Sequence, residues 1–207
     1  VVNIVNADRD YYKNNGGGVT ISGGEALLQW EFTKAIVERC KGLGIHTCVE
    51  SALSVKTEIL LSMMPGTDLF ITDIKHLDND EHMKYTGVGV ELILKNIKIL
   101  AESGKPYVLR LPVIPGVNDS VGYIARVADF ISNELKNTAV QVQLLRFRRL
   151  GEEKYKSLGL PYQMTEINPE REMYENHIKD LVKILSEREI PAFAGTTNKI
   201  RLKNKDI

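Results

Sequence analysis

The sequence is poor in cysteine, in net charge and in long apolar runs. Its 207 residues include only two cysteines, Cys40 and Cys48, too few for the disulfide framework of a small secreted domain. The 27 Lys and Arg residues equal the 27 Asp and Glu residues in number, so the formal net charge is zero and gives no support for a nucleic-acid or membrane partner. No apolar run approaches the roughly 18 residues of a membrane span, and no signal-peptide pattern is present. We therefore expect a cytoplasmic protein with no nucleic-acid or membrane partner.

The sequence also offers little that could hold a metal ion. The spacing of Cys40 and Cys48 fits no compact metal-ligand pattern. Cys40 falls on the apolar stripe of a predicted helix, which also includes Phe32, Ile36 and Leu43, and Cys48 falls inside a predicted strand. The four histidines are scattered without an HxH or HxxxH pair. We expect both thiols to be structural and no histidine metal site.

Short β-rich runs alternate with longer helical patterns along the chain. Strands are predicted over residues 19–22, 45–50, 69–75, 107–113 and 140–145, with a weaker one over 192–194. Such alternation predicts a parallel sheet with helical crossovers. An open doubly wound sheet and a full or partial barrel both fit the pattern. In either case a ligand site is expected at the C-terminal ends of the strands.

Two further predictions concern the first and the last helix of the chain. The chain begins Val1-Val2 without Met, and the apolar spacing through Val5 to Tyr12 predicts an amphipathic helix already under way, so we expect a piece of a longer protein. Near the other end, Asn168-Pro169 is predicted to supply the N-cap and first residue of the last helix.

Polar residues follow the predicted strands where chemistry is expected. The first strand ends in Ser22-Gly23-Gly24-Glu25, the second in Glu50-Ser51 and the third in Asp73-Ile74-Lys75, while Arg110 lies on the fourth and Arg148 follows the fifth. Asp73 and Lys75 are two residues apart and share a strand face. A carboxylate beside an ammonium suits a zwitterionic ligand, as does Glu25 beside bare glycine backbone.

Simpler interpretations of the same residues stay open. The two glycines could form an ordinary βα turn, Asp73 and Lys75 an ordinary ion pair of small energetic value, and the carboxylates could cap helices. Residue types and spacing alone therefore predict an α/β enzyme with a polar or amino-acid-like ligand.

Several segments resemble the radical SAM enzymes that activate glycyl radical enzymes. The stretch GGGVTISGGEALLQWEF is similar to the family's S-adenosylmethionine (SAM) binding segment. The likeness continues in the family's order through GIHTCVES, DLFITDIKHLDNDEHMKYTGV, ILKNIKIL, RLPVIPGVNDS and LLRFRRLGEEKYKSLG. This resemblance covers about residues 8–190, and it implies a partial parallel (β/α) barrel of the radical SAM, TIM-like type that lacks its first strand. We expect this barrel domain over residues 1–195 and a polar, basic tail over residues 196–207.

The resemblance also implies roles for the residues at the strand ends. Gly23, Gly24 and Glu25 would hold the ammonium group of the SAM methionine, and Lys75 would pair with its carboxylate. Ser22 belongs to the same SAM-binding stretch. Glu50 and Ser51 match a position that contacts SAM, and Arg110 matches a basic position on the fourth strand. Asp73, with Glu50, could help to hold a monovalent cation.

The implied activity is radical generation on a protein. In the family, a 4Fe–4S cluster and SAM together produce a radical that removes a hydrogen from a glycine of the partner glycyl radical enzyme, with electrons from a donor such as flavodoxin or ferredoxin.

This sequence departs from the family pattern at several positions. The cluster motif C-x3-C-x2-C is missing, and the resemblance implies that it belongs upstream of Val1. Ala26 replaces a usual proline, and Arg146 and Arg148 stand where relatives often have proline and histidine, which puts one SAM contact in doubt. Two alternatives remain: a radical SAM enzyme for a small molecule, against which DIKHLDNDEHMKYTGV argues, and a non-catalytic module that binds SAM or docks a partner.

Overall fold

The computed structural model describes residues 1–198 and 200, and its centre is a parallel six-stranded sheet. The strands are β1 (Gly18–Ile21), β2 (His46–Glu50), β3 (Leu69–Asp73), β4 (Tyr107–Val113), β5 (Gln141–Arg146) and β6 (Ala192–Ala194). All six lie within one or two residues of the predicted runs. Their order in the sheet is the order along the chain, and every neighbouring pair is parallel.

Two helices precede β1, and the other helices lie in the connections between the strands. They are α1 (Val2–Ala7), α2 (Arg9–Asn15), α3 (Trp30–Gly42), α4 (Thr57–Met63), α5 (Asn79–Thr86), α6 (Glu91–Glu102), α7 (Val121–Asn133), α8 (Glu152–Ser157) and α9 (Arg171–Ser186), with a 3₁₀ turn at Ala26–Gln29 before α3. None of these helices, within the described part of the chain, has the length and apolar character needed to cross a bilayer.

The sequential strand order decides between the two predicted architectures. Right-handed crossovers that always step in one direction place every helix on the same face of the sheet, whereas a doubly wound sheet reverses direction. The main core accordingly joins one face of the strands, including Phe70, Leu109 and Val142, to residues of the helices such as Ile97 and Leu181. The opposite, inner face carries no helix among residues 1–198 and 200, so the fold is an open, partial (β/α) barrel.

The parallel register brings the polar strand-end residues of neighbouring strands side by side. Glu50 on β2 lies opposite Ile71 on β3, Asp73 on β3 lies opposite Arg110 on β4, and Arg110 lies opposite Gln143 on β5. Because side chains alternate along a strand, these polar residues all face the inner side. Their shared edge is the C-terminal edge of the sheet, where a ligand site was predicted.

The predictions for the first and last helices are wrong in detail. The predicted N-terminal helix is two helices, because it breaks at Asp8, which ends α1 and begins α2 with φ −94° and ψ 11°. Val2, Val5 and Tyr12 pack against the buried residues of α3, as the apolar side of an amphipathic segment would. The last helix begins at Arg171, not at Asn168-Pro169. Its N-cap is Glu170, whose carboxylate accepts hydrogen bonds from the Glu172 and Met173 N–H groups. A shorter capping side chain satisfies free donors at a helix start in the same way.

The apolar stripe of α3 is also shifted from its predicted position. Its buried residues are Thr33, Ile36, Val37 and Cys40, whereas Phe32 is 57% exposed. Phe32 instead lies beside α1, where it lines a small groove with Val1 and Val2. The predicted tail, residues 196–207, falls at residue 199 and from residue 201 onward outside the described residues, and its boundary stays a prediction.

Candidate functional site

The loop after β1 presents bare backbone at the C-terminal edge. Ser22, Gly23 and Gly24 are exposed. Gly23 has φ +133°, which L side chains rarely adopt, and a Cβ on Gly23 or Gly24 would meet nothing within 4 Å. The space beside this backbone is therefore open, and a ligand could approach the peptide groups closely.

Glu25 joins the loop after β1 to the loop after β2. One carboxylate oxygen accepts a hydrogen bond from the Leu27 N–H at 3.0 Å, which makes Glu25 the N-cap of the 3₁₀ turn. The other oxygen accepts a hydrogen bond from the Ala52 N–H at 2.8 Å. The helix-cap interpretation of Glu25 is therefore correct. The bond to Ala52 goes beyond it, because it fixes the spacing of the loops after β1 and β2 at the C-terminal edge of the sheet, called the rim below.

Glu50 belongs to a chain of polar contacts across the inner face. Its carboxylate accepts a hydrogen bond from Arg110 at 2.6 Å, and Arg110 Nε donates to Gln143 Oε1 at 3.1 Å. The Gln143 amide in turn donates to Gln141 at 2.7 Å. Three strands are thereby linked over the top of Ile71, and these partly buried polar groups satisfy one another.

Ser51 lies directly after Glu50 but points into the turn. It is buried, its N–H donates to the Ile71 carbonyl, and its hydroxyl accepts from the Leu53 N–H at 3.0 Å. Leu53 has φ +56°, an uncommon conformation for a large side chain. The Ser51 hydroxyl therefore stabilises a strained turn.

Asp73 and Lys75 form an ion pair at the end of β3. Lys75 Nζ lies 2.8 Å from Asp73 Oδ2, and the two side chains keep 39% and 26% of their surface exposed. Strand pairing ends at Asp73, two residues earlier than predicted. The ion pair of the simpler interpretation is thus formed between residues predicted to share a face, and the Lys75 side chain keeps enough exposed surface to meet a ligand.

Comparison with known proteins identifies the family. A profile of the Radical SAM superfamily matches residues 3–129. The chain is 46% identical over 195 residues to a (2S)-3-sulfopropanediol dehydratase activating enzyme from Klebsiella oxytoca, covering 94% of this chain and 62% of that protein. It is 34% identical to a pyruvate formate-lyase-activating enzyme from Staphylococcus epidermidis, covering 82% of this chain and 69% of that protein.

The chain belongs to the radical SAM superfamily. Among solved structures, a domain of a pyruvate-formate lyase-activating enzyme from Bacteroides vulgatus superposes with a TM-score of 0.70 at 31% identity, over 87% of this chain and 99% of that one. These relatives place the chain in the family of glycyl radical enzyme activating enzymes, as the sequence resemblance implied. The chain spans 62% of the length of the first of these relatives.

The cysteines of this radical SAM chain do not fit a 4Fe–4S cluster. Such clusters need several thiolates around one site, but Cys40 packs in the core of α3 and Cys48 in a separate cluster on the inner face. Burial raises the pKa of the Cys40 thiol. The pKa of the Cys48 thiol rises to about 11, mainly by burial, and Glu50 adds to that rise. In the described part of the chain, no three His, Cys, Asp or Glu side chains are grouped to hold a metal ion.

The residues at β1–β3 do fit the methionine portion of SAM in their chemistry. A methionine carries an ammonium and a carboxylate, and the rim offers the Glu25 carboxylate with open peptide groups and, two strands away, the accessible Lys75 ammonium. Ionised hydrogen-bonding groups of this kind bind charged partners strongly.

Arg148 lies apart from the residues at β1–β4. It is exposed and lines a cleft of about 590 Å³ between the ends of β5 and β6 and helix α9, together with Arg146 and Glu175. Within residues 1–198 and 200, no hydrogen bond or ion pair joins the Arg148 side chain to the predicted site residues on β1–β4, whose side-chain partners lie among themselves and on β5. Its predicted role with SAM stays a prediction.

Two residues of the rim were missed by sequence reasoning. Gln143 is an internal strand residue and is 2% exposed. The signal that could have found it is a polar side chain within an otherwise apolar strand. Asn118 lies just before α7, whose N-cap is Ser120. The Asn118 side chain instead bonds to the ends of β3 and β4.

Proposed function

We propose that this chain is part of an activating enzyme that generates a glycyl radical on a partner glycyl radical enzyme by reductive cleavage of SAM. The observation that carries the proposal is that two kinds of group lie on one edge of the sheet. One is the accessible ammonium of Lys75, and the other is the Glu25 carboxylate beside the open backbone of Gly23 and Gly24. When bound, SAM supplies the group whose reductive cleavage starts the reaction. The protein residues bind and orient it.

In this proposal Lys75 binds the methionine carboxylate. Asp73 holds the Lys75 ammonium at 2.8 Å, which keeps a flexible side chain at the inner edge before a ligand arrives. An ammonium has three donors, so it can retain Asp73 and also donate to a carboxylate. The half-exposed environment lets a ligand enter and exclude water from the contact.

Glu25 and the glycine backbone would receive the methionine ammonium. Each Glu25 oxygen accepts one backbone N–H bond, and an ionised carboxylate has about four acceptor sites in total. Acceptor capacity therefore remains for an ammonium. The Ser22 and Gly23 carbonyls lie in the same exposed loop and would complete the binding of this cation.

Glu50, Ser51 and Arg110 would act at the edge of the same site. The Arg110 guanidinium neutralises Glu50, and the pair presents hydrogen-bonding groups to the inner side. A monovalent cation bound to Asp73 and Glu50 would share these carboxylates with Lys75 and Arg110, their basic partners. Arg148 would reach SAM from the β5 side.

The partner, the electron donor and the location belong to the same proposal. The relatives named above activate enzymes, by their names a dehydratase and a formate-lyase, which supports a glycyl radical enzyme as partner. A small reducing protein such as flavodoxin or ferredoxin would supply the electron. Two unpaired, buried thiols are typical of a reducing compartment, which supports a cytoplasmic location.

The test uses the full-length, cluster-loaded protein with a reductant, SAM and a glycyl radical enzyme encoded in the same genome. The expected result is 5′-deoxyadenosine together with a glycine-centred radical detected by electron paramagnetic resonance. A matched reaction with the Lys75→Met variant should give much less of both. SAM cleavage that depends on a small molecule and leaves every candidate partner without a radical would indicate the small-molecule alternative, and SAM binding without cleavage would indicate a non-catalytic module.

A further inference from the structure

Asn118 is a buried amide with a complete set of hydrogen bonds at the site rim. It is 3% exposed, and its Oδ1 accepts from the Ile114 N–H at 2.7 Å. Its Nδ2 donates to the Lys75 carbonyl and to the Pro112 carbonyl, both at 2.8 Å. One side chain thus joins the segment that carries Lys75 to the end of β4.

The ladder between β3 and β4 cannot provide this connection. The Ile74 N–H donates to the Arg110 carbonyl, so backbone groups of alternate β4 residues, Arg110 and then Pro112, face β3. Pro112 has no N–H to donate, and regular pairing of β3 ends at Asp73. Beyond this point the Asn118 amide supplies the donors, one to the Lys75 carbonyl and one to the Pro112 carbonyl.

The residues after Lys75 are fixed from the same direction. The Leu77 N–H donates to the Tyr123 hydroxyl at 3.0 Å, and the Tyr123 ring stacks on His76 with centroids 4.7 Å apart. Arg126 pairs with Asp78. The loop after β4 and helix α7 therefore hold the whole segment 75–78, and Asn118 is the contact on Lys75 itself.

From this geometry we infer that Asn118 is a positioning residue for Lys75: its amide fixes the backbone of Lys75 so that the ammonium meets the SAM carboxylate. The inference rests on the proposed role of Lys75. Asn118 contacts only protein backbone, so its effect on SAM passes through Lys75. A flexible four-carbon side chain on a loosened backbone would visit the binding position less often.

The test is a double-mutant cycle on SAM affinity in the full-length, cluster-loaded protein. Asn118→Ala should weaken SAM binding by about five- to tenfold, less than Lys75→Met, because the ammonium is retained but poorly placed. Adding Asn118→Ala to Lys75→Met should weaken SAM binding no further. Asn118→Ala should lower the free energy of unfolding, measured by urea denaturation, by the same amount in the wild-type and Lys75→Met proteins.

The control is Asn137→Ala. The Asn137 amide also joins two elements, donating to the Arg188 carbonyl at 3.0 Å, but these elements lie away from the strand-end residues. It should lower stability without changing SAM affinity. If Asn118→Ala weakens SAM binding equally with and without Lys75, or leaves it unchanged while Lys75→Met weakens it, the positioning role is wrong and the role of Lys75 survives. If Lys75→Met itself binds SAM normally, the proposed role of Lys75 fails first.

Discussion

The two ends of the inner face of the sheet carry opposite kinds of side chain on the same strands. Toward the N-terminal end, Cys48, Leu69, Ile71 and Val108 form a buried apolar cluster. One step further along the same strands and on the same face stand Glu50, Asp73 and Arg110, partly exposed and paired. The period-two alternation of strands puts both sets on one surface, and residue type alone separates them.

This difference shows how an open barrel can pack one end of its inner face with apolar side chains and keep paired charges at the other end. The apolar cluster packs without any need for polar partners, so it can exclude water from the N-terminal end of the inner face. At the upper edge each charged group has an opposite partner, which lowers the cost of holding charge near a low-dielectric surface. A ligand then replaces water and does not have to neutralise an unpaired charge.

The largest loss of stability is expected for a substitution in the apolar cluster. Leu69→Ala should lower the free energy of unfolding by about 2–4 kcal/mol, because it removes buried methyl groups and leaves a cavity. SAM affinity of the folded protein should change less than about twofold. Urea denaturation measures the free energy of unfolding, and titration measures the SAM affinity. Leu61→Ala, at a 49% exposed position, is the control and should change both only slightly. A large loss of SAM affinity in folded Leu69→Ala would remove the distinction between the two ends.

A smaller loss of stability is expected at the paired end. Arg110→Met leaves Glu50 without its cation and Gln143 Oε1 without its donor, which should lower the free energy of unfolding by about 1–2 kcal/mol. Arg126→Met breaks the exposed pair with Asp78 and should lower it by less than about 1 kcal/mol. Equal losses in the two variants would contradict the view that the Glu50 pair belongs to a partly buried network. Adding Glu50→Gln to Arg110→Met should recover part of the loss.

The pH dependence of Cys48 probes the boundary between the two ends. Burial raises the pKa of this thiol to about 11 from a usual value of 9.0, so the folded state binds the proton more tightly than the unfolded state. Stability that Cys48 contributes is therefore present below about pH 9 and is lost as the pH rises toward 11. The stability difference between wild type and Cys48→Ala should shrink over this range in urea denaturation. A constant difference would mean that the thiol is not shielded from water.

The smallest change in stability is expected for Lys75→Met. Its pair with Asp73 keeps more than a quarter of each side chain exposed, so the free energy of unfolding should fall by less than about 1 kcal/mol in thermal or urea denaturation. A loss above about 2 kcal/mol would show that the pair is mainly a structural element.

Glu25→Gln is expected to be a poor probe of ligand binding. The amide NH2 group of glutamine would face a backbone N–H, at either Leu27 or Ala52, where the carboxylate now accepts. The variant would therefore lose a rim hydrogen bond before any ligand is added. Lys75→Met has no such defect and is the better test.

Local patterns predicted the strands and the edge at which the polar residues meet. Short β-rich runs located five strands, and a weaker apolar run located the three-residue β6. The parallel arrangement then required Glu50, Asp73 and Arg110 to share one edge. The ion pair of Asp73 and Lys75 followed from a spacing of two. These are short-range consequences of backbone geometry.

Long-range contacts account for what the sequence could not predict. The second bond of Glu25 reaches Ala52, 27 residues away, and Glu50 meets Arg110 across 60 residues. The role of Asn118 depends on a gap in the ladder at Pro112, which appears only when two strands are aligned. The exposed position of Phe32 depends on where α1 packs, and no periodicity within α3 contains that information.

The most direct test of the proposed site is the SAM affinity of Lys75→Met, measured by calorimetric titration of the full-length, cluster-loaded protein. Lys183→Met is the matched control, because Lys183 also pairs with an aspartate, at 2.7 Å, on an exposed helix surface. Loss of a charge-assisted contact worth about 1.5–3 kcal/mol should weaken SAM binding by about tenfold to a hundredfold in Lys75→Met, with Lys183→Met unchanged. Wild-type affinity in folded, cluster-loaded Lys75→Met would contradict the assignment of Lys75 to the SAM carboxylate.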